Sequence, residues 1–162
     1  MIQKELVEKL KVRHIEANTY GEAHNKHATA LSPTAAQLLA GHEPVYSLPL
    51  LELDVLVGDQ VTVAGVLDPG LQIVVIWHNL AKEVDARINP NHLVEMEGAN
   101  EATNWTLGCA EYLTMQVGDV PFKIHAHVVK DVPFQLLLGW PFGCAVSSAI
   151  EDLPNGETEV SV

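Results

Sequence analysis

From residue 48 onward, apolar positions come in short blocks bounded by glycine, proline and aspartate, and most blocks carry the spacing of strands. Residues 50–57 are rich in apolar side chains and residues 60–67 alternate; the Gly58-Asp59 pair between them signals a hairpin. A β-branched block at 72–77 predicts a strand immediately after a Pro-Gly turn. Residues 78–88 shift to helical spacing, with Leu80, Ala81, Val84 and Ile88 on one face and Asn89-Pro90 as the stop. The pattern then predicts a strand over 92–97, a small polar hairpin tip over 98–104 and a long strand over 105–117. Gly118-Asp119 repeats the first turn's chemistry, 122–129 alternates, and 134–138 is an apolar strand running into Gly139-Trp140-Pro141-Phe142. A short helix is expected over 143–149. The stretches 50–68 and 112–139 share one plan, strand, Gly-Asp turn, strand, which reads as a weak internal duplication.

The first 47 residues have a different character. Ile2, Leu6, Val7 and Leu10 make one stripe on a short helix over 2–12. A polar stretch at 18–30 reads as linker, and Ser32-Pro33 ahead of 34–40 and Gly41 reads as a capped helical turn or two. The expected organisation is an N-terminal helical arm and linker over 1–47, a mainly β domain over 48–153, and an acidic tail over 154–162 that lies at the surface or frays.

Composition narrows the function classes. With 48% hydrophobic residues in 162, the chain can bury a real core. Nine basic residues against twenty-one acidic ones give a formal charge of −12, which repels phosphate backbones and argues against nucleic acid as a partner. No apolar run approaches the ~20 residues of a membrane span, and the start Met1-Ile2-Gln3-Lys4-Glu5 has no apolar signal region. The expectation is a soluble, intracellular (cytoplasmic) protein without a membrane partner. Cys109 and Cys144 form no Cys-x-x-Cys pattern and read as small buried hydrophobes. His125 and His127 share one side of a predicted strand, and with His92 or Glu111 they offer metal donors; a solvated face explains them better, so no metal and no cofactor is expected.

One acidic residue stands out by placement. Asp68 is delivered by the apolar block ending Val66-Leu67 into the turn Pro69-Gly70, with another apolar strand directly after it. Taken alone, Asp-Pro-Gly is ordinary turn chemistry: a side-chain acceptor, a fixed φ and a permissive one. The order of elements around it changes that reading.

Strand, Asp-x-Gly, strand, helix, small-residue hairpin, then Leu136-Leu137-Leu138-Gly139 and a short helix, resembles the retropepsin-like aspartic proteases of retroelements. Over 67–142 it is most similar to the protease segment of fungal retrotransposon polyproteins, and the whole likeness spans roughly 48–153. The resemblance implies a small closed β-barrel with one or two short helices. It further implies a homodimer in which Asp68 of each copy forms half of a catalytic dyad that activates water against an extended peptide or polyprotein. Pro69 and Gly70 would complete the active-site turn, and Leu138 and Gly139 would support it from behind. Gly98, Ala99, Asn100, Glu101, Ala102 and Thr103 would form a flap over the substrate. The family usually carries Ser or Thr where this chain has Pro69, and often a charged residue where Trp140 stands. An alternative reading therefore stays open, a retropepsin-like dimerisation or peptide-binding module without catalysis.

Overall fold

The Gly58-Asp59 signal is realised as a primed turn, the kind whose twist matches that of the strands it joins. Both residues have positive φ, 60° and 56°, and Gln60 donates its N–H to Val57 O at 3.1 Å. The computed structural model describes residues 9–10, 13–15, 48–98, 101–153 and 157–162, with side chains from residue 48 onward in those ranges. The turn joins β3 (Leu50–Val57) to β4 (Val61–Leu67), antiparallel from Val57↔Val61 to Leu51↔Leu67. A second hairpin joins β9 (Cys109–Val117) to β10 (Val120–Val129) through Gly118-Asp119.

These hairpins exchange their exit strands, which gives the expected duplication a structural form. β5 (Val74–Trp77), leaving the first hairpin, pairs parallel with β10, as in Val75↔His127. β11 (Leu136–Leu138), leaving the second, pairs parallel with β4. β11 also lies antiparallel to β5, so it is threaded between the two. The order β3-β4-β11-β5-β10-β9 closes on itself through Leu56↔Gln116 and Val57↔Met115, leaving these strands as a closed barrel. Leu53, Val55, Ile76, Met115, Leu136 and Leu138 fill it and are at most 1% exposed. Each such fully buried Leu, Ile or Val stabilises by about 1.5–3 kcal/mol over exposure. The expected mainly β, closed barrel with short helices is the observed architecture, and no described helix is long and apolar enough to cross a membrane.

Several boundaries differ from the expected ones. The first helix, α1 (His78–Glu83), stops five residues before Ile88. Ala86 N–H reaches back to Ala81 O at 2.8 Å and Asp85 N–H to Lys82 O at 3.0 Å, with Asp85 at φ 51°, a left-handed helix end. Ile88–Asn89 then forms β6, paired with β9. The long strand expected over 105–117 is broken. Thr103–Trp105 is β8, paired with β7 (Glu95–Glu97), while Thr106 and Leu107 turn aside to bond Val94 O and Val128 O. The second helix, α2 (Trp140–Val146), begins earlier than expected, with Pro141 in its first turn.

The N-terminal helix is corrected where it can be compared. Lys9–Leu10 is strand β1, pairing with β13 (Thr158–Ser161), and Arg13–Ile15 is β2, added to β3. Sheet edges that need a hydrogen-bonding partner override the local stripe there. The remaining residues of that helix, the linker and the capped turns at 32–41 lie outside the described residues. The tail is corrected too: β13 also pairs with β12 (Ala149–Asp152), and Val160 is fully buried.

Candidate active site

Asp68 follows β4 directly, and its position is set by the strand threaded beside it. Its N–H donates to Leu138 O at 3.0 Å, continuing the parallel β4–β11 ladder past Leu67↔Leu138. Leu71 N–H closes the turn on Asp68 O at 3.0 Å, and Gly70 N–H donates to Asp68 Oδ1 at 3.1 Å. Asp68, Pro69 and Gly70 are all exposed. One carboxylate oxygen is thus held by the chain's own backbone while the residue faces solvent at the end of a rigid strand.

Behind the turn, Gly139 is wedged against backbone. A Cβ there would lie 1.9 Å from Ile73 O and 2.6 Å from Leu71 O, distances no side-chain carbon tolerates. The next residue, Trp140, donates its N–H to Leu71 O at 2.7 Å. The Leu138-Gly139 pair is therefore brought against the Asp68 turn. Beside the turn opens an apolar cleft of about 350 Å³, lined by Leu67, Pro69, Leu138, Trp140, Phe142, Cys144 and Ile150, among others. Trp140 is 65% exposed at its rim. Cys144 is exposed, a correction to the expectation of two buried cysteines. Cys109 is buried; burial first, and the Glu111 carboxylate second, push its thiol up and keep it protonated.

The β7–β8 hairpin stands where a flap was expected. Gly98 N–H bonds Ala102 O and Glu101 N–H bonds Gly98 O, both at 2.9 Å, and Gly98, Glu101, Ala102 and Thr103 are exposed. Ala99 and Asn100 lie outside the described residues. Its root is fastened by Thr106, the one buried polar side chain among the described residues. Thr106 Oγ1 accepts from Val94 N–H at 3.0 Å and Thr106 N–H donates to Val94 O at 3.0 Å.

A second cavity, of about 490 Å³, gathers His92, Cys109, Glu111, Tyr112, His125 and His127. Among the described residues no three His, Cys, Asp or Glu side chains are arranged to hold a metal ion. Reading the sequence singled out His92, Glu111 and the His125/His127 pair; it missed Thr106 and Tyr112. The signal for Tyr112 is a β-bulge. Leu113↔Ile124 and Ala110↔Ala126 leave Glu111 and Tyr112 facing the single residue His125, and Tyr112 takes φ 53°.

Comparison with known proteins gives a family and a fold. A family profile described as aspartyl protease covers residues 53–142. Among solved structures, the chain is similar to the retroviral protease-like domain of Ddi1 from Leishmania major, at 16% identity and a TM-score of 0.51 over 63% of this chain and 82% of that one. It also matches a retropepsin-like aspartic protease from Rickettsia conorii, at 16% identity and a TM-score of 0.49 over 70% and 83%. No curated protein matches. At such identity the first likeness speaks for the fold alone, while the profile spans more than half of the sequence and takes in β4, Asp68 and β11. On that match the chain, with its retropepsin-like barrel, belongs to the aspartyl protease family.

Proposed function

We propose that this protein is an aspartic endopeptidase that works as a homodimer, each copy supplying Asp68. The observation that carries the reading is the Asp68 turn: an exposed carboxylate, braced by Leu138 O and by Gly139, in the one Asp-x-Gly of the sequence. A twofold axis beside that turn would bring two such carboxylates together. Like charges at hydrogen-bond distance cannot both ionise cheaply, so the pair shares one proton. The ionised carboxylate takes a proton from water as its oxygen bonds to the scissile carbonyl carbon, and the protonated partner donates to the carbonyl oxygen. Collapse of the tetrahedral species breaks the C–N bond, the amine leaves with a proton, and the dyad is left sharing one again. In this reading Pro69 and Gly70 shape the turn, Leu138 and Gly139 support it, and the hairpin over 98–103 closes on an extended peptide with strand-like hydrogen bonds. A retroelement polyprotein is the proposed origin of the chain and the proposed substrate.

Pro69 favours a second reading, a dimeric peptide-binding module without catalysis, because it supplies neither a hydroxyl nor an amide donor to brace the turn. A peptide library incubated at pH ~4–6, the range of shared-proton carboxylates, separates the two. Cleavage that Asp68→Asn lowers by roughly a hundred- to ten-thousandfold, the scale of a lost acid–base group, is the expected result. If wild type and Asp68→Asn are equally inert while both sediment as dimers, the module reading stands. Higher activity in Pro69→Ser would trace the limit to the missing hydroxyl.

A further inference from the structure

The histidine cavity lies under the strap that leads into the hairpin. Asn91 to Val94 form one wall of it, while Cys109, Glu111, Tyr112, His125 and His127 on β9 and β10 form the other. Thr106 holds the strap at Val94, and one carboxylate of β9 ties its first half to the barrel. Glu111 Oε1 contacts His92 Nδ1 and accepts from Asn89 Nδ2 at 3.2 Å. On that side the strap is also tied to Asn89, by Asn91 N–H to Asn89 Oδ1 at 3.0 Å and by the longer His92 N–H to Asn89 O at 3.4 Å, and His92 and Leu93 are exposed.

Beneath the strap the two β10 histidines differ. His125 Nδ1 accepts from Tyr112 N–H at 3.1 Å, and its ring meets Tyr112 edge-on at 4.7 Å. His127 Nδ1 is buried and has no hydrogen-bond partner. Its titratable neighbours among the lining residues are His125 on its own strand, Cys109, Glu111 and Tyr112 on β9, and His92 on the strap. β5, its other strand neighbour, contributes Val74, Val75, Ile76 and Trp77 and no titratable group. Three imidazoles therefore face a single carboxylate, and a second proton on the cluster leaves positive charge uncompensated in a partly closed space.

We propose that the Glu111–His92 pin and the His125/His127 pair beneath it form a pH-responsive base for the hairpin. It holds the strap against the barrel when His127 is neutral and lets it go when His127 is protonated. The functional consequence rests on the reading of the hairpin as a flap: entry to the site would open under the same acidic conditions that suit the proposed dyad. Burial, then the nearby His125 and His127's other neighbour His92, hold the His127 pKa below the ordinary imidazole value. The folded state thus resists the proton that the unfolded chain accepts, and this contribution to stability is lost as pH falls below the ordinary imidazole pKa of about 6.5.

Amide hydrogen exchange on the free protein, corrected for intrinsic rates, tests this without any substrate. Failure of the latch is thereby kept distinct from failure of the protease reading. Between about pH 7.5 and about pH 5.5, across the imidazole range, exchange at Val94 and Thr106 should rise at least about fivefold, while barrel amides such as Val55 and Met115 stay protected. His127→Gln should flatten that rise. Glu111→Ala, which removes the pin, should raise exchange at Val94 already at the higher pH. A rise of equal size in wild type and His127→Gln, no rise in wild type, or unchanged protection in Glu111→Ala would overturn the proposal.

Discussion

Two glycines flank Asp68 in space, and they are constrained by different things. Gly139 is confined inside the chain, because its missing Cβ is what lets the Ile73 and Leu71 carbonyls pass. Gly70 is not: a Cβ there would meet only Asp68 Oδ1, at 3.4 Å, and its φ lies outside the left-handed region. Gly139→Ala should therefore destabilise by at least about 3 kcal/mol, since backbone cannot yield as a side chain can. Gly70→Ala should stay within about 0.5 kcal/mol of wild type in urea unfolding and still lower peptide cleavage, because the facing turn of a second copy and the substrate would meet the new methyl. Equal losses of stability would refute the distinction. The Asp68-Pro69-Gly70 turn was legible in the sequence because turn chemistry is local, whereas the expectation that Leu138 and Gly139 lie behind it came only with the family resemblance. Tyr112 and Thr106 were not, because their roles arise from a register shift between β9 and β10 and from a bond across the hairpin root.

Among the elements, the strands were read well where alternation was backed by a Gly-Asp turn, as in β3–β4 and β9–β10. Two of the boundary errors fall where a tertiary bond meets the end of an element that the local pattern would have continued. Gln60 Nε2 donates to Val84 O at 3.3 Å at the end of α1. Thr106 likewise interrupts the apolar run ahead of β9 by bonding Val94, a contact invisible to any short window. That bond makes the hairpin root testable. Thr106→Val keeps the shape but leaves the half-buried Val94 N–H without its acceptor, and should cost about 0.5–1.5 kcal/mol, the net worth of an ordinary hydrogen bond. Equilibrium unfolding measures the loss, and a variant as stable as wild type would show that the root is held by its apolar contacts instead.

At the scale of the molecule, charge opposes the proposed assembly. Two copies at −12 each must approach closely enough for a pair of Asp68 turns to meet. Salt shortens the reach of that repulsion, from a Debye length of about 30 Å at 0.01 M to about 10 Å at 0.1 M. Sedimentation should accordingly show tighter dimerisation as salt rises across this range, and cleavage per mole of chain should become less sensitive to dilution. Tighter association at low salt would point instead to complementary charges across the interface. The apolar cleft at Pro69, Trp140 and Ile150 gives such a contact an uncharged centre beside the turn.

The threading of β11 between β4 and β5 also sets an order in time. During synthesis β4, Asp68 and β5 leave the ribosome long before Leu136–Leu138, and until that strand arrives the Asp68 amide has no Leu138 carbonyl to bond. The nascent chain thus carries its acidic residue on an open seam between two strand edges, and only its last third zips the seam shut. Such long-range closure is slow compared with hairpin formation. A chain built this way holds its Asp68 turn unformed until most of the domain is made, a delay written into strand order.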